Sequence, residues 1–428
     1  MGLWAFRMAL CYVCIMLVQP QNRFTFLWPL HIADLSFCGA VGLHVLACLK
    51  DRTPVVRFGP ATCLAILLLG FGMLSQYAGE YQTSTEWNPW IDLVVKNAAI
   101  LILLEAMMTS AKRVWAVQMV MLVATLWWVK GGLRLSAAGA TYSGDRLMGA
   151  TVGLIENPNS FAYMMCVFLP LYLYTYQQAR KWWERYLFLA GALACIYIIF
   201  QTGSRTGLFT LCVMGVFLLR RYGRQHLKGL LVMCAAIAFL FPMTGERNLE
   251  RFKTIPKSIA SFLNRDKSQD APHPQTQDEQ SAEERRMKNI HTWGLIKEHL
   301  LFGVGMSPNS SKYTDRWPMA SGQVHCEILM AGRQMGLIGM SLYVGFWAVL
   351  IVGGWQIRRY ARDWPAIRDL GWTFQMQAIA LIVGGSFCPL PWHPPMMVLA
   401  ASASSLSGLL REDADARRVE AEVRRLRG

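Results

Sequence analysis

The sequence predicts an all-α integral membrane protein, a polytopic bundle of about 12 transmembrane helices with one large loop that contains further helices. Hydrophobic residues make up 54% of the 428 residues and charged residues only 16%, whereas soluble domains carry about 25% charged residues. Largely uncharged apolar runs of about 20 residues, the length that crosses a bilayer, recur along the chain. Basic residues are concentrated in alternate loops, as in multi-span proteins.

Each apolar run is a candidate transmembrane helix. The runs fall near residues 3–19, 26–48, 60–77, 89–108, 114–133, 160–177, 187–203, 206–221, 228–243, 334–356, 370–388 and 394–410. The first run reaches Pro20 without a small-residue cleavage site, so we interpret it as a retained span and not as a signal peptide. The predicted division is spans 1–9 over 1–243, a loop region over 244–333, spans 10–12 over 334–410 and a basic tail over 411–428.

The distribution of lysine and arginine predicts that both termini are cytoplasmic. The segments after spans 2, 4, 6, 8 and 10 and the C-terminal tail are rich in basic residues, whereas the opposite loops at 78–88 and 389–395 contain none. The net charge of +15 therefore lies where anionic lipid headgroups are found. No nucleic-acid-binding motif accompanies this charge, so we expect membrane lipids and not nucleic acid as its partner.

Two segments on the opposite side are long enough to carry function. The first, 134–159, is rich in glycine and small residues. In the second, 244–333, the stretch 264–284 is polar and lacks aromatic residues, which is typical of disorder. One apolar helical face follows, formed by Met287, Ile290, Trp293, Ile296 and Leu300. We expect that helix to lie on the membrane surface or to cap the bundle, and the tail to form an interfacial helix on the cytoplasmic leaflet.

Arg205 is the first candidate site residue. It lies in the very short turn between spans 7 and 8, and an arginine at membrane depth costs roughly 2.5–3.5 kcal/mol. It either snorkels to the headgroups or binds a partner. Gly203 and Gly207 allow close backbone approach, which favours a phosphate-bearing ligand.

A second group of candidates lies around span 10. His325 opens the helical stretch that leads into this span, and Glu327 follows it. A lone histidine is more often structural than catalytic, but His325 and Glu327 are both candidate general bases. Arg285 and Arg286 precede Trp293 and are either an anion clamp or a solvated charge run.

Asn157 and Asn159, on either side of Pro158, read as turn or helix-cap residues or as polar groups at the mouth of span 6. The sequence lacks GxxxxGK[ST], HExxH and GxSxG, the motifs of nucleotide, zinc and serine-hydrolase sites. We therefore expect no metal, no ATP and no other cofactor.

Together these features resemble the O-antigen ligase superfamily of bacterial membrane glycosyltransferases. They are "NPN" entering a span, "GSR" between two spans, a basic residue before a Trp-bearing helix ending in "GVG", and the histidine of H-x-x-x-L…G-L-I-G. The resemblance covers roughly residues 150–345 by motif. It extends to the whole chain by topology, since such ligases resemble a twelve-span bundle with a large periplasmic loop after span 9.

Residue by residue, Arg205 matches the family arginine of the short periplasmic turn, and His325 matches the family histidine. Arg286, or its neighbour Arg285, is similar to the loop arginine. The sequence departs from the family pattern at two positions. Asn289 stands where the family often has the loop arginine, and Cys326 follows the histidine where the family usually has asparagine.

The resemblance implies a glycan donor carried on undecaprenyl pyrophosphate, held by Arg205 and the loop arginine. It implies that His325, or Glu327, deprotonates or orients an acceptor hydroxyl. The expected reaction is O-antigen ligation to lipid A-core at the periplasmic face of the bacterial inner membrane. O-antigen polymerase and protein O-oligosaccharyltransferase of the same superfamily remain alternatives. So do a lipid-linked glycan transporter and a non-catalytic assembly scaffold.

Overall fold

A computed structural model describes residues 1–79, 89–142, 146–149, 155–222, 277–306, 314–320, 324–388 and 391–427 of the protein. The α-helices of this part of the chain are α1 (Gly2–Val18), α2 (Ile32–Asp51), α3 (Pro60–Ala78), α4 (Pro89–Met107), α5 (Ala111–Ala137), α6 (Pro158–Gln178), α7 (Trp182–Gln201), α8 (Arg205–Tyr222), α9 (Gln277–Glu298), α10 (Glu327–Tyr360), α11 (Pro365–Gly385) and α12 (Pro394–Arg427). Two short strands, β1 (Thr141–Tyr142) and β2 (Arg146–Leu147), pair antiparallel between α5 and α6.

The predicted all-α class is confirmed. Among the described residues, five helical stretches are long and apolar enough to cross a membrane, namely Thr25–Asp51, Pro60–Ala78, Ala111–Ala137, Trp182–Gln201 and Glu327–Tyr360. Gly2–Val18 and Arg205–Leu219 are apolar but shorter. The total of about twelve spans, their orientation and the periplasmic loop stay predictions. The ninth predicted span, 228–243, lies outside the described residues.

Helix α6 lies at the centre of the bundle. Its side chains are buried without interruption from Pro158 to Tyr172, and it packs against α7, α8 and α11. A helix that is largely apolar on every side is stable in a protein core or in lipid, and α6 is enclosed by its neighbours. The first half of α12 is enclosed in the same way by α4 and α10. These two helices form the core against which the others are placed.

Helix α10 consists of two segments joined by a sharp bend. Met335 and Gly336 leave the helical conformation, and Gly336 has φ 62° and ψ −150°, a combination that almost only glycine adopts. The bend folds the first segment back, because Glu327 bonds the hydroxyl of Tyr343, whereas a straight helix would separate these residues by about 24 Å. The predicted span near 334–356 corresponds to the second segment alone.

The loop between α9 and α10 packs into this bend. Its backbone bonds are Val304 N to Arg333 O at 2.9 Å, Gly305 N to Gln334 O at 3.2 Å and Leu337 N to Leu300 O at 2.7 Å. A broken helix exposes backbone groups that a bilayer cannot solvate, so neighbouring protein must bond them. The bend thereby ties α9 directly to α10.

Helix α9 caps the bundle by packing on α10, but it departs from the prediction in two respects. It begins at Gln277, so residues 277–284 of the segment predicted to be disordered are helical, in keeping with their helix-forming Gln, Glu and Ala. Residues 264–276 lie outside the described residues. Among its described side chains, Thr292, Leu295 and Ile296 are buried; of the predicted apolar face, Ile296 is therefore buried, whereas Ile290 and Trp293 are exposed. Apolar periodicity alone does not distinguish a face packed on protein from one that meets lipid.

Helix α12 runs without interruption from Pro394 to Arg427. The tail therefore continues the helix of the last span and does not form the separate interfacial helix that the sequence predicts. No proline or glycine follows Gly408 before the end of the helix, so nothing in the sequence breaks it. Arg57 pairs with Glu412 and holds the beginning of the tail against the connection between α2 and α3.

Candidate active site

Several helix termini meet at one end of the bundle. Helices α6, α8, α10 and α12 begin there, and α7 and α11 end there. The contacts that bring them together are Asn159 Oδ1 to Ser204 Oγ at 3.0 Å, Ser160 Oγ to Cys388 Sγ at 3.3 Å and Tyr163 OH to His393 Nε2 at 3.4 Å. Because a helix N-terminus carries partial positive charge, this end of the bundle is electrostatically suited to an anion.

Asn157 is the N-cap of α6. Its side chain accepts a hydrogen bond from Asn159 N at 2.8 Å, and Pro158 occupies the first helical position, where its missing N–H costs nothing. The helix-cap interpretation is therefore confirmed for Asn157. Asn159 lies inside the first turn and is buried. Its side chain does not cap the helix and bonds Ser204 and Arg146 instead.

Asn159 holds the turn that precedes Arg205. Its Oδ1 accepts from Ser204 Oγ and from Arg146 Nη2, the latter at 2.8 Å. Arg146 Nε also donates to Thr202 O at 3.0 Å, so one guanidinium bonds both α6 and the turn. The role of Arg146 was not predicted from the sequence. Its only signal was a basic residue in a loop on the side that is otherwise poor in lysine and arginine.

Arg205 is the first residue of α8 and is half-buried. Gly203 has φ 57°, the left-handed conformation that lets the chain reverse between α7 and α8. Gly207 serves helix packing, because a Cβ at this position would lie 2.6 Å from Ala162 Cβ on α6. The sequence predicts that Gly207 leaves room for a ligand; the structure instead shows that it allows α6 and α8 to pack closely.

His325 lies two residues before α10 and is half-buried. Its Nδ1 atom is buried and has no hydrogen-bond partner among the described residues. Burial, together with the nearby charges of Arg285 and Lys288, lowers the pKa of His325 to about 4. The imidazole is therefore neutral at pH 7, which is the form that accepts a proton.

The two candidate loop arginines lie in different surroundings. Arg286 is exposed and forms a bidentate ion pair with Glu283 at 2.8–3.0 Å. Arg285 is half-buried and interacts electrostatically with His325 and with Cys388. Successive side chains on a helix point about 100° apart, so the pair does not share one face. The structure brings Arg285 to His325 and leaves Arg286 at the surface.

Glu327 is fully buried. Its Oε2 accepts hydrogen bonds from Tyr163 OH at 3.3 Å and from Tyr343 OH. A carboxyl group enclosed in this way is out of reach of an acceptor that arrives from solvent. Its position does not favour the expected role as an alternative base.

The polar groups at this end suit an anionic ligand. Within the described part of the chain, no three His, Cys, Asp or Glu side chains are grouped as metal ligands. The site instead presents guanidinium, imidazole and amide groups, which bind phosphate and carboxylate oxygens through charge-assisted hydrogen bonds.

Two protein families match the chain. Residues 190–344 match the family described as O-Antigen ligase, and residues 4–180 match a family of unknown function, DUF5935. No curated protein matches the chain. The first match contains Arg205, Arg285 and His325 and extends into α10. The protein therefore carries an O-antigen ligase domain over residues 190–344, which supports the superfamily that its motifs predicted.

Proposed function

We propose that the protein is a membrane glycosyltransferase that moves a glycan from undecaprenyl pyrophosphate to an acceptor hydroxyl. The proposed reaction is ligation of O-antigen to lipid A-core at the periplasmic face of the bacterial inner membrane. The observation that carries the proposal is that Arg205, Arg285 and His325 lie at the same end of the bundle. The basic loops predict that this end is periplasmic and that both termini are cytoplasmic.

Arginine is well suited to hold the donor. A guanidinium binds phosphate oxygens bidentately and stays charged at every physiological pH. Arg205 comes from the beginning of α8 and Arg285 from α9, so a diphosphate between them would be held from two sides. Fixed positive charge also stabilises the leaving group as its bond to the sugar breaks, and this requires neither ATP nor a metal ion.

In the proposed step, the acceptor hydroxyl oxygen attacks the anomeric carbon and the bond from that carbon to the pyrophosphate breaks. Undecaprenyl pyrophosphate leaves with the bonding electrons, and the hydroxyl proton passes to neutral His325. Burial is the main cause that lowers the pKa of His325, and the charges of Arg285 and Lys288 lower it further; a bound diphosphate would offset those two charges. Donor binding would therefore make the histidine a stronger base.

Transfer by the purified protein in liposomes tests the proposal. The donor is an oligosaccharide on undecaprenyl pyrophosphate, and the acceptors are lipid A-core, a second copy of the oligosaccharide and a Ser/Thr-rich peptide. We expect glycosylated lipid A-core and released undecaprenyl pyrophosphate. His325→Ala should reduce the rate by about 100- to 10,000-fold, the usual contribution of a general base.

The acceptors separate the alternatives. Product formed only on the oligosaccharide identifies a polymerase, and product only on the peptide identifies a protein glycosyltransferase; either result rejects ligation to lipid A-core. Movement of the donor across the bilayer without any transfer would identify a transporter and reject the enzyme altogether.

The pH dependence of transfer should reflect the protonation of His325. Because its pKa is about 4, kcat/KM, which reflects the free enzyme, should stay flat from about pH 8 to about pH 5 and fall at lower pH, as the imidazole becomes protonated. The fall in kcat, which reports the donor complex, should occur at a higher pH, because the diphosphate raises the pKa. His325→Asn should lack both acid limbs. Identical limbs in kcat and kcat/KM would contradict the proposed coupling.

A further inference from the structure

A closed polar cluster lies two residues along the chain from His325. Glu327 Oε2 accepts hydrogen bonds from the hydroxyls of Tyr163 and Tyr343, and Glu327 Oε1 lies 3.9 Å from His393 Nε2. Three of these side chains are 0% exposed and His393 is 2% exposed. We call these four residues the Glu327 cluster. A buried carboxyl group is costly unless it is bonded; here the hydrogen bonds are made by Oε2, whereas Oε1 has no hydrogen-bond partner among the described residues.

The protonation of His393 is set by the backbone. Met396 N donates to His393 Nδ1 at 3.2 Å, so Nδ1 is an acceptor and the ring proton lies on Nε2. Nε2–H then faces the Tyr163 hydroxyl at 3.4 Å and the Glu327 carboxyl group. His393 thus donates to the Tyr163 hydroxyl, and the hydroxyls of Tyr163 and Tyr343 donate to Glu327 Oε2. A buried network of this kind fixes the position of the elements that supply it.

The end of α11 is shaped to admit the cluster. A Cβ on Gly385 would lie 2.3 Å from Glu327 Oε2, and a Cβ on Gly384 would lie 2.1 Å from the Tyr163 ring. Any larger residue at these two positions would displace the carboxyl group or the ring. The cluster therefore joins α6, α10 and the beginning of α12, and the two glycines of α11 leave the space that its side chains occupy.

We propose that Glu327 is a positioning residue, which sets His325 against Arg205 by fixing the beginning of α10 to α6. The proposal rests on the proposed function of those two residues. Glu327 is two residues from His325, and its partner Tyr163 is one turn, about 6 Å, from Asn159 along α6. Asn159 in turn bonds the turn before Arg205. The base and the arginine are therefore both placed relative to the same rigid helix.

The test compares Glu327→Gln with the wild-type protein. The amide keeps the size of the side chain, but its NH2 group would face either the tyrosine hydroxyls or His393 Nε2–H, so the beginning of α10 should loosen. We expect kcat to fall by about 10- to 100-fold, the cost of a small displacement of a reacting group, with the donor KM unchanged because the arginines remain. The pKa of His325, measured by carbon-13 NMR of labelled histidine, should rise from about 4 towards the value of a solvated imidazole.

Glu105→Gln is the matched control. Glu105 is also a buried carboxyl group, 1% exposed, and it bonds Thr62 N at 2.6 Å. Thr62 is at the other end of α3 from Ser75, which contacts the bend of α10 through Gln334 O. We expect this variant to leave both kcat and the pKa of His325 unchanged. An equal shift in both variants would show general loosening of the bundle and would overturn the positioning role.

The two proposals fail in different ways. If the pKa of His325 stays at its wild-type value in folded Glu327→Gln, the positioning role is wrong whatever the transfer rate. If the wild-type protein transfers no glycan, the proposed function is wrong, while the histidine titration still decides whether Glu327 positions His325. Should Glu327→Gln not fold, Tyr163→Phe removes a single hydroxyl, and the same shift of the His325 pKa is required of it.

Discussion

Arg205→Ala should reduce glycan transfer by about 100- to 1,000-fold, the usual loss when one fixed donor to a developing negative charge is removed. Arg205 begins α8 and its turn is bonded to α6 through Asn159, so the backbone that carries its guanidinium is fixed to the core of the bundle. Arg205→Lys should recover only part of the rate, because an ammonium group is a point charge without the bidentate fork. The measurement is transfer in liposomes at equal amounts of folded protein.

Neighbouring arginines on α9 provide the control. Arg285→Ala should cause a loss similar to that of Arg205→Ala, since Arg285 interacts with His325. Arg286→Ala should remain close to wild type, because Arg286 is exposed and already paired with Glu283, and such surface pairs contribute little. The opposite ranking, with Arg286 essential and Arg285 dispensable, would contradict the site described here.

Gly336→Ala should have the largest effect on stability. A residue with a Cβ at φ 62° and ψ −150° costs about 1–3 kcal/mol in backbone strain. Its Cβ would also lie 2.3 Å from Leu300 O, the carbonyl that accepts from Leu337 N. The bend would open, and Glu327 would lose its bond to Tyr343. We expect a marked fall in the midpoint of thermal unfolding in detergent and a loss of transfer in the fraction that remains folded.

Gly70→Ala is the matched control for this substitution. Gly70 lies within α3, and a Cβ there would have nothing within 4 Å. Alanine is favoured over glycine in a helix by about 1 kcal/mol, so this variant should be neutral or slightly stabilised. If both glycine variants unfold at the same temperature as the wild type, the bend does not depend on the conformation of Gly336.

The helices over the apolar runs and the cap at Asn157 can be predicted from the sequence, since both depend on residues that are close together along the chain. The motifs around Arg205 and His325 also predicted the family whose model matches residues 190–344. The bend of α10 did not follow. Its residues read as a single apolar stretch, and hydropathy carries no information about the backbone angles of Gly336.

The choice between Arg285 and Arg286 depends on how α9 is rotated against α10. In a membrane protein that rotation is poorly encoded, because apolar residues are stable both against protein and against lipid. Trp293, the tryptophan that follows the loop arginine in the family motif, is itself partly exposed. Arg146 was missed for a related reason, since its partners Asn159 and Thr202 become neighbours only when α6 and α7 pack together.

The unbroken length of α12 has a practical consequence. A helix of 34 residues extends over about 51 Å, so it projects well beyond the hydrocarbon thickness of a bilayer, about 30 Å. A soluble protein joined after Arg427 in continuous helical register would keep a fixed orientation relative to the buried core of the bundle. Such a fusion would serve as a rigid fiducial for aligning particle images in electron microscopy.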